Sequence, residues 1–270
     1  MQPNTLSVRV RAVLLITALL CLVTVAAAGA QTPPAAGAAP EKPAVQRKGE
    51  ITFGASVQAG VTELVSTSLD GSIAWIAPKW SAELVASNAY GTYSRGGRKD
   101  TTVDTTSVSF LVSRKLTPRT FIAAESAYYR NGPQAVDYHF EELVGYGVRL
   151  VQSPRGNLTV VGVTGAVQDD KNVPEADGGS FVAGVLQTAD AVVAKDAKGE
   201  PTWTWSERLL YIDDVTKSDD SRLDFKTKLT GRIRGPISLS LTYKVVHEAI
   251  VKAGNQQDDQ SLSVGVSWTW

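Results

Sequence analysis

The last ten residues of the chain, Ser261–Trp270, alternate strictly between polar and apolar side chains. Leucine, valine and tryptophan occupy one face, and serine, glycine and threonine occupy the other. A period of two residues is the pattern of a β-strand with one apolar face. The two preceding runs, 236–249 and 221–234, repeat it, and in the latter the polar face carries mostly charged residues. This periodicity predicts an all-β fold.

Twelve such runs follow one another along the chain, and they cover 50–61, 64–76, 80–93, 103–115, 119–130, 138–151, 157–168, 180–194, 202–213, 221–234, 236–249 and 260–270. At roughly 10–15 residues they are longer than soluble strands and suit a tilted crossing of a bilayer. Short connections alternate with longer polar ones after the second run. We therefore expect a closed antiparallel transmembrane β-barrel of about twelve strands, with short periplasmic turns and longer extracellular loops. Two runs are ambiguous, because Leu158–Val167 does not choose a face and Glu207 interrupts an apolar face.

The aromatic residues support this topology. Tryptophans lie beside the short connections, whereas most tyrosines lie towards the long ones. Rings with an apolar body and a polar tip prefer the two membrane interfaces. A soluble β-sandwich or lipocalin-like barrel has no reason to sort tryptophan and tyrosine between two rims. The predicted interfacial tryptophans are Trp75, Trp80, Trp203 and Trp205.

The first thirty residues have the pattern of a signal peptide. Arg9 and Arg11 precede an apolar segment, and Ala28–Ala30 gives a small-x-small cleavage site. An uncleaved anchor helix is the alternative, but the alanine-rich end and the proline-rich residues 31–48 favour cleavage. The predicted organisation is therefore a signal peptide at 1–30, a periplasmic linker at 31–48 and a barrel at 49–270. We expect export through the periplasm to the bacterial outer membrane.

Charge limits the class of partner. Cleavage would remove Arg9 and Arg11, leaving 25 lysines and arginines against 27 acidic residues. A nucleic-acid binder usually carries a basic surplus, so no nucleic-acid partner is expected. Cleavage would also remove Cys21, the single cysteine of the chain. The expected partners are outer-membrane lipid and lipopolysaccharide, and the sequence does not indicate an oligomeric state.

The C-terminal strand carries a second signal. Ser263, Gly265, Trp268 and Trp270 follow the spacing polar-x-Gly-x-x-aromatic-x-aromatic and end on the last residue. This spacing looks like the signal by which the barrel assembly machinery recognises its substrates during biogenesis. The alternative is an ordinary edge strand that ends in tryptophan.

The region from about Gly49 to Trp270 resembles the salt-induced outer-membrane protein family, a bacterial family of unknown function. The residues that carry the resemblance are Gln257–Val266, Trp80 with Ala89–Ser94, and Tyr146–Leu150. The chain departs from that family at Gly60–Thr62, where the family tends to have a Gly-Asn-Thr turn. The resemblance implies an outer-membrane barrel. It does not imply a particular activity, because that family has no firmly assigned one.

The polar faces of the late runs are cationic. The possible lumen-lining charges are Arg149, Lys226, Lys228, Arg232, Arg234 and Lys244. A row of fixed positive charges in a water-filled barrel would favour anions. The alternative is that these side chains pair with acidic residues such as Asp224 and Glu141 and fill the interior. The leading hypothesis is a small, anion-favouring diffusion pore or passive envelope protein; the alternative is a non-conducting structural or surface-binding barrel that acts through its loops.

No catalytic, cofactor or metal site is predicted. A hydrolase would need a serine activated by an oriented histidine, and neither His139 nor His247 lies near a distinctive serine motif. Acidic doublets beside the long loops could hold calcium or magnesium. They lack the spacing of a known calcium loop, so solvated loops are the simpler interpretation.

Overall fold

The computed structural model describes residues 45–58, 64–95, 98–132, 136–170, 178–216, 220–249 and 258–270. Within them, twelve antiparallel strands pair in chain order, and the twelfth pairs with the first to close a barrel. The predicted closed, all-β barrel of about twelve strands is confirmed. No helix among these residues has the length and apolar character needed to cross a membrane. The predicted signal peptide, and all of the linker before Val45, lie outside the described residues.

The strands are β1 (Gln46–Gln58), β2 (Leu64–Ile76), β3 (Trp80–Arg95), β4 (Arg98–Lys115), β5 (Thr120–Asn131), β6 (Val136–Ser153), β7 (Gly156–Asp170), β8 (Gly178–Lys195), β9 (Pro201–Asp214), β10 (Ser221–Arg234), β11 (Ile237–Glu248) and β12 (Asp258–Thr269).

In two places the strands extend beyond the predicted runs. The first strand begins at Gln46, before the predicted barrel boundary at Gly49, and Gln46 pairs with Ile76 at the end of β2. Most of the predicted loop 94–102 is strand, because the β3–β4 pairing continues outward as far as Arg95 opposite Arg98.

The short connections meet at one rim, as predicted. They comprise 77–79, 116–119, 154–155, 196–200 and 235–236. In two of them the backbone takes a positive φ at glycine, +82° at Gly199 and +56° at Gly235. Only glycine adopts this conformation at little cost, so these two residues allow the tight reversals.

Strands β1 and β12 close the barrel. Their pairing runs from Glu50 opposite Thr269 to Ala55 opposite Val264. The backbone groups of Gly49 and Trp270 extend it, since each N–H donates to the other's carbonyl at 3.1 Å. Closure leaves no unpaired sheet edge, which is the condition for a sheet to exist in hydrocarbon.

The outer face is apolar on all sides of the barrel. Large hydrophobic side chains alternate with inward residues and stay exposed, for example Phe53 on β1, Val144 on β6, Phe181 on β8 and Val264 on β12. A soluble protein rarely exposes so continuous an apolar surface. The strand pattern and this belt are therefore those of a transmembrane barrel.

The inner face has two different walls. On β5 to β9 an apolar cluster points inward, made of Phe121, Leu143, Val161, Val163, Val167, Val182, Leu186, Leu210 and Ile212. The ambiguous run on β7 is part of this wall, because its valines are buried while Gly162 and Thr164 are exposed outside. On β2 to β4 the inward residues are mainly serines. We call these the apolar wall and the serine wall.

Candidate functional site: the barrel lumen

One ion pair crosses the lumen within the apolar wall. Nη2 of Arg208 on β9 donates to both carboxylate oxygens of Glu125 on β5, at 2.8 Å each. The Glu125 side chain is 8% exposed, whereas that of Arg208 is 32% exposed. Sequence reasoning missed both residues. They lie 83 positions apart, and alternation within a strand gives no information about which residues meet across a barrel.

A second pair joins Lys228 on β10 to Glu50 on β1. The pair spans the two strands between them, β11 and β12, whose inward residues there include Ser240 and Ser267, each 1% exposed. Thr52 supports the carboxylate, because its hydroxyl lies 3.0 Å from Glu50 Oε1 and 2.8 Å from Ser267 Oγ. The small serine side chains leave the space that this Lys–Glu pair occupies.

Near the long-loop rim, His139 lies between two carboxylates. Its Nδ1 faces Asp169, and its Nε2 lies 3.5 Å from Glu141. Because both ring nitrogens face carboxylates, neither is available to activate a hydroxyl group. A small, partly open pocket adjoins this histidine, and Asp214 and Arg222 contribute to its lining.

No group of three or more histidine, cysteine or acidic side chains in the described residues is arranged to hold a metal ion. Two members of the acidic doublets point inward and are buried: Asp169 against His139, and Asp214, which accepts hydrogen bonds from the backbone and hydroxyl of Thr216. Their orientation differs from the solvated loops expected from the sequence.

Three of the predicted lumen charges lie near the short-turn rim. Arg232 holds the β8–β9 turn, with its guanidinium 2.8 Å from Asp196 and 2.7 Å from Glu200. Arg149 donates to the Pro118 carbonyl at 3.2 Å. Arg234 is exposed and follows a register shift in the β10–β11 pairing.

The β8–β9 turn beside Arg232 is organised around the carboxyl group of Asp196. The pKa of Asp196 is lowered, first by the hydrogen bond from the Glu200 backbone N–H and then by Lys198 N–H and Arg232. Both backbone donors lie 2.9 Å from Asp196 Oδ1. The carboxylate therefore organises the turn while it is ionised.

The other three predicted charges, Lys226, Lys228 and Lys244, lie at middle and upper levels of β10 and β11. Lys228 is paired with Glu50, and Lys244 lies 4.0 Å from Asp224. Lys226 forms no ion pair within 4.0 Å in the part of the chain that the structure describes.

Lys226 faces the serine wall, where two carboxylates point inward. It interacts electrostatically with Asp70 on β2, and also with Glu83 on β3. Glu83 is solvent-exposed although it points into the barrel, as its pairing with Ala74 and Leu111 shows. Space for water therefore remains beside the serine wall. Around these charges lie Ser68, Ser72, Ser81, Ser87, Ser107, Ser109 and Ser113.

The predicted tryptophans lie on the outer face at the short-turn side. Trp75 pairs with Ala82 on the outer face of β3, and Trp80 belongs to the same outward set. Trp203 and Trp205 lie opposite Gly231 and Leu229 on β10. Trp205 also donates from Nε1 to Thr227 Oγ1 at 2.8 Å.

The C-terminal motif lies on the closing strand. Gly265 is buried, and a Cβ there would lie 2.7 Å from Thr52 Cγ2 and 2.9 Å from the Phe53 carbonyl oxygen. Ser263 points inward, whereas Trp268 is exposed opposite Ile51. Trp270 covers Gly49, where a Cβ would come within 2.2 Å of its ring. The motif glycine is thus required by packing at the closing seam.

Comparison with solved structures identifies barrels of the same kind. The NanC porin matches with a TM-score of 0.50 at 11% identity, covering 83% of this chain and 99% of that one. An outer membrane channel from Pseudomonas putida F1 matches with a TM-score of 0.49 at 9% identity, covering 89% and 100%. The translocator domain of the autotransporter NalP from Neisseria meningitidis gives 0.43 at 14% identity, covering 82% and 86%. At 11% identity, the match to the NanC porin shows the fold alone.

The sequence comparisons are more specific about the family. No curated protein matches the chain. A family model described as a protein of unknown function, DUF481, matches residues 51–270, which is the barrel from β1 to its last residue. The chain therefore belongs to the DUF481 family.

Proposed function

We propose that this protein is an outer-membrane pore for small hydrophilic solutes, with a narrow water-filled passage along the serine wall. The observation that carries the proposal is the exposure of Glu83 inside the barrel, facing Lys226. An ionised group without a close partner is stable at such a position only if water reaches it. The passage is narrow because the apolar wall and the two cross-lumen ion pairs occupy the rest of the interior.

The constriction of this passage combines charges of both signs. Asp70 and Glu83 lie on the serine wall, and Lys226 lies opposite them. Fixed charges in a low-dielectric channel select ions of the opposite sign. We therefore propose a weak preference for cations.

The anion preference expected from the sequence stays a prediction, and the geometry gives it less support. It depended on a row of unpaired cations, but Lys228 is paired with Glu50 and Arg232 with the β8–β9 turn. The non-conducting barrel is the other outcome of the experiment below. Catalysis is not part of the proposal, since the carboxylates beside His139 leave it no role as a base.

The proposal includes the route to the membrane. Residues 1–30 act as a cleaved signal peptide, and the closing strand is recognised by the barrel assembly machinery. The apolar belt contacts lipid, and the long loops contact lipopolysaccharide. A response to salt, implied only by the resemblance noted from the sequence, stays a prediction.

The experiment is a reversal-potential measurement in planar bilayers under a salt gradient. The folded barrel is compared with Glu83→Gln and Lys226→Gln. We expect a weakly cation-selective wild type, less selective after Glu83→Gln and more selective after Lys226→Gln. The double variant Glu50→Gln/Lys228→Gln is the matched control, because it removes both charges of a compensated pair and leaves the net charge of the lumen unchanged.

Three results would contradict the proposal. Anion selectivity in the wild type would restore the sequence-based hypothesis. Equal shifts in Lys226→Gln and in the double variant Glu50→Gln/Lys228→Gln would remove Lys226 from the constriction. A folded barrel without current would favour a non-conducting protein that acts through its loops.

A further inference from the structure

Two glutamates point outward from the middle of the barrel. Glu142 on β6 lies directly opposite Ser126 on β5, and Glu207 on β9 lies opposite Thr227 on β10. Both belong to the outward set, because each alternates with inward residues such as Glu141 and Arg208. The sequence placed Glu207 on the apolar face of its run, and the strand pairing shows that this face points outward.

Their depth follows from the aromatic residues on the same strands. Outward Trp205 and Tyr211 flank Glu207, and outward Tyr138 and Tyr146 flank Glu142. At about 3.3 Å per residue, Glu207 is roughly 7 Å along the strand from Trp205. In the proposed membrane orientation both carboxyl groups therefore lie inside the apolar belt.

Among the described residues, each carboxyl group has one side-chain hydrogen-bond donor from the neighbouring strand. Ser126 Oγ donates to Glu142 Oε1 at 2.6 Å, and Gln187 Nε2 donates to Glu207 Oε1 at 3.0 Å. A carboxylate has capacity for about four such bonds. Ionisable groups within a membrane are costly, so they are usually paired with other polar groups and mark a functional site.

The surface between the two glutamates combines small residues of β7 and β8 with the larger Val185 and Phe181. Its outward positions include Gly162, Thr164, Ala166, Ala183 and Ala189. Small side chains allow the backbones of two membrane proteins to approach closely. We call the outward surface of β6 to β9 the β6–β9 face.

We propose that the β6–β9 face binds a second copy of this chain about a two-fold axis. Gln187 and Glu207 supply a donor and an acceptor on the same face. The Gln187 amide has a second N–H, and the Glu207 carboxyl group has a second oxygen. A two-fold axis brings the spare donor of each copy to the spare acceptor of the other, at matching depth. This self-complementarity favours a second copy over an unrelated protein.

The proposal rests on the membrane location proposed above but not on conduction. The first test is the mass of the folded barrel in detergent and in lipid nanodiscs, where a dimer is expected. Glu207→Leu should weaken the dimer about tenfold, since two symmetry-related hydrogen bonds are lost. Asn88→Leu, an outward polar residue on β3, is the matched control and should leave the dissociation constant unchanged.

The second test locates the interface. In a Cys21→Ser background, Ala189→Cys should cross-link to itself with a short bismaleimide. Ala86→Cys, which points outward on β3, should not. Both variants must keep the heat-dependent gel mobility of the folded barrel.

A monomeric wild type overturns the proposal, as does equal cross-linking of Ala189→Cys and Ala86→Cys. Equal weakening by Glu207→Leu and Asn88→Leu overturns it as well. These outcomes are separable from those of the pore. A conducting monomer refutes the dimer alone, and a silent dimer refutes the pore alone.

Discussion

Replacing Arg208 by methionine should destabilise the barrel more than replacing its partner Glu125 by glutamine. Without Arg208, a carboxylate that is 8% exposed remains near the carboxylates of Glu141 and Asp224. Removing one partner of a buried ion pair costs about 3–5 kcal/mol. We expect about 3 kcal/mol, because lumen water and protonation relieve part of the charge.

The glutamine variant should cost about 1 kcal/mol. Glutamine keeps the shape of Glu125 and one acceptor oxygen for the guanidinium. Arg208 is 32% exposed, so solvent screens the charge that remains. The double variant Glu125→Leu/Arg208→Met should be less destabilised than Arg208→Met, because it extends the apolar cluster and leaves no charge unpaired.

The assay is reversible urea unfolding in phospholipid vesicles, followed by tryptophan fluorescence. Heat-dependent gel mobility confirms that each variant is folded at the start. A larger loss in Glu125→Gln than in Arg208→Met would refute the reasoning. A double variant that loses the sum of the single changes Glu125→Leu and Arg208→Met would show that the two residues are not coupled.

Two further predictions concern the seam and a turn. Gly265→Val should sharply reduce the heat-resistant folded fraction on gels, because its Cβ would lie 2.7 Å from Thr52 Cγ2. Val264→Ile, which enlarges an outward side chain at a variable position of the motif, is the control and should assemble normally. At the β8–β9 turn, the pKa of Asp196 is lower in the folded protein than in the unfolded chain. The ionised Asp196 therefore stabilises the fold fully above its unfolded pKa of about 3.9. This stabilisation is lost as the pH falls through the lower pKa of the folded protein. Asp196→Asn should remove this part of the pH dependence of the unfolding free energy, as measured by acid unfolding. A variant with the same pH dependence as the wild type would contradict the prediction.

The strands were predictable where one face is apolar and the other polar. In β10 to β12 the alternation is regular, so orientation followed from the sequence. On β7 the alternation did not show which face points outward. The valines at 161, 163 and 167 point inward and Gly162 and Thr164 point outward, which is the reverse of the apolar-outward pattern of β10 to β12. There the lumen wall itself is apolar, and a pattern within one strand cannot distinguish lipid from a packed interior.

The lumen was less predictable than the fold. Lys226 and Lys228 lie two residues apart on one face, yet only Lys228 forms a close ion pair. The difference depends on Glu50, which lies 178 positions away and is brought near by barrel closure. Glu125 was missed for the same reason, because its partner comes from four strands further along the sheet.

The central claim, a water-filled passage beside the serine wall, is tested most directly by blocking it chemically. Single-channel current is recorded from Ser109→Cys in a Cys21→Ser background, before and after addition of a water-soluble thiol reagent. Leu210→Cys, buried in the apolar wall at 4% exposure, is the control. We predict discrete current steps that shrink on modification of Ser109→Cys and stay unchanged for Leu210→Cys. Block of Leu210→Cys alone, or no current from folded protein, would contradict the account.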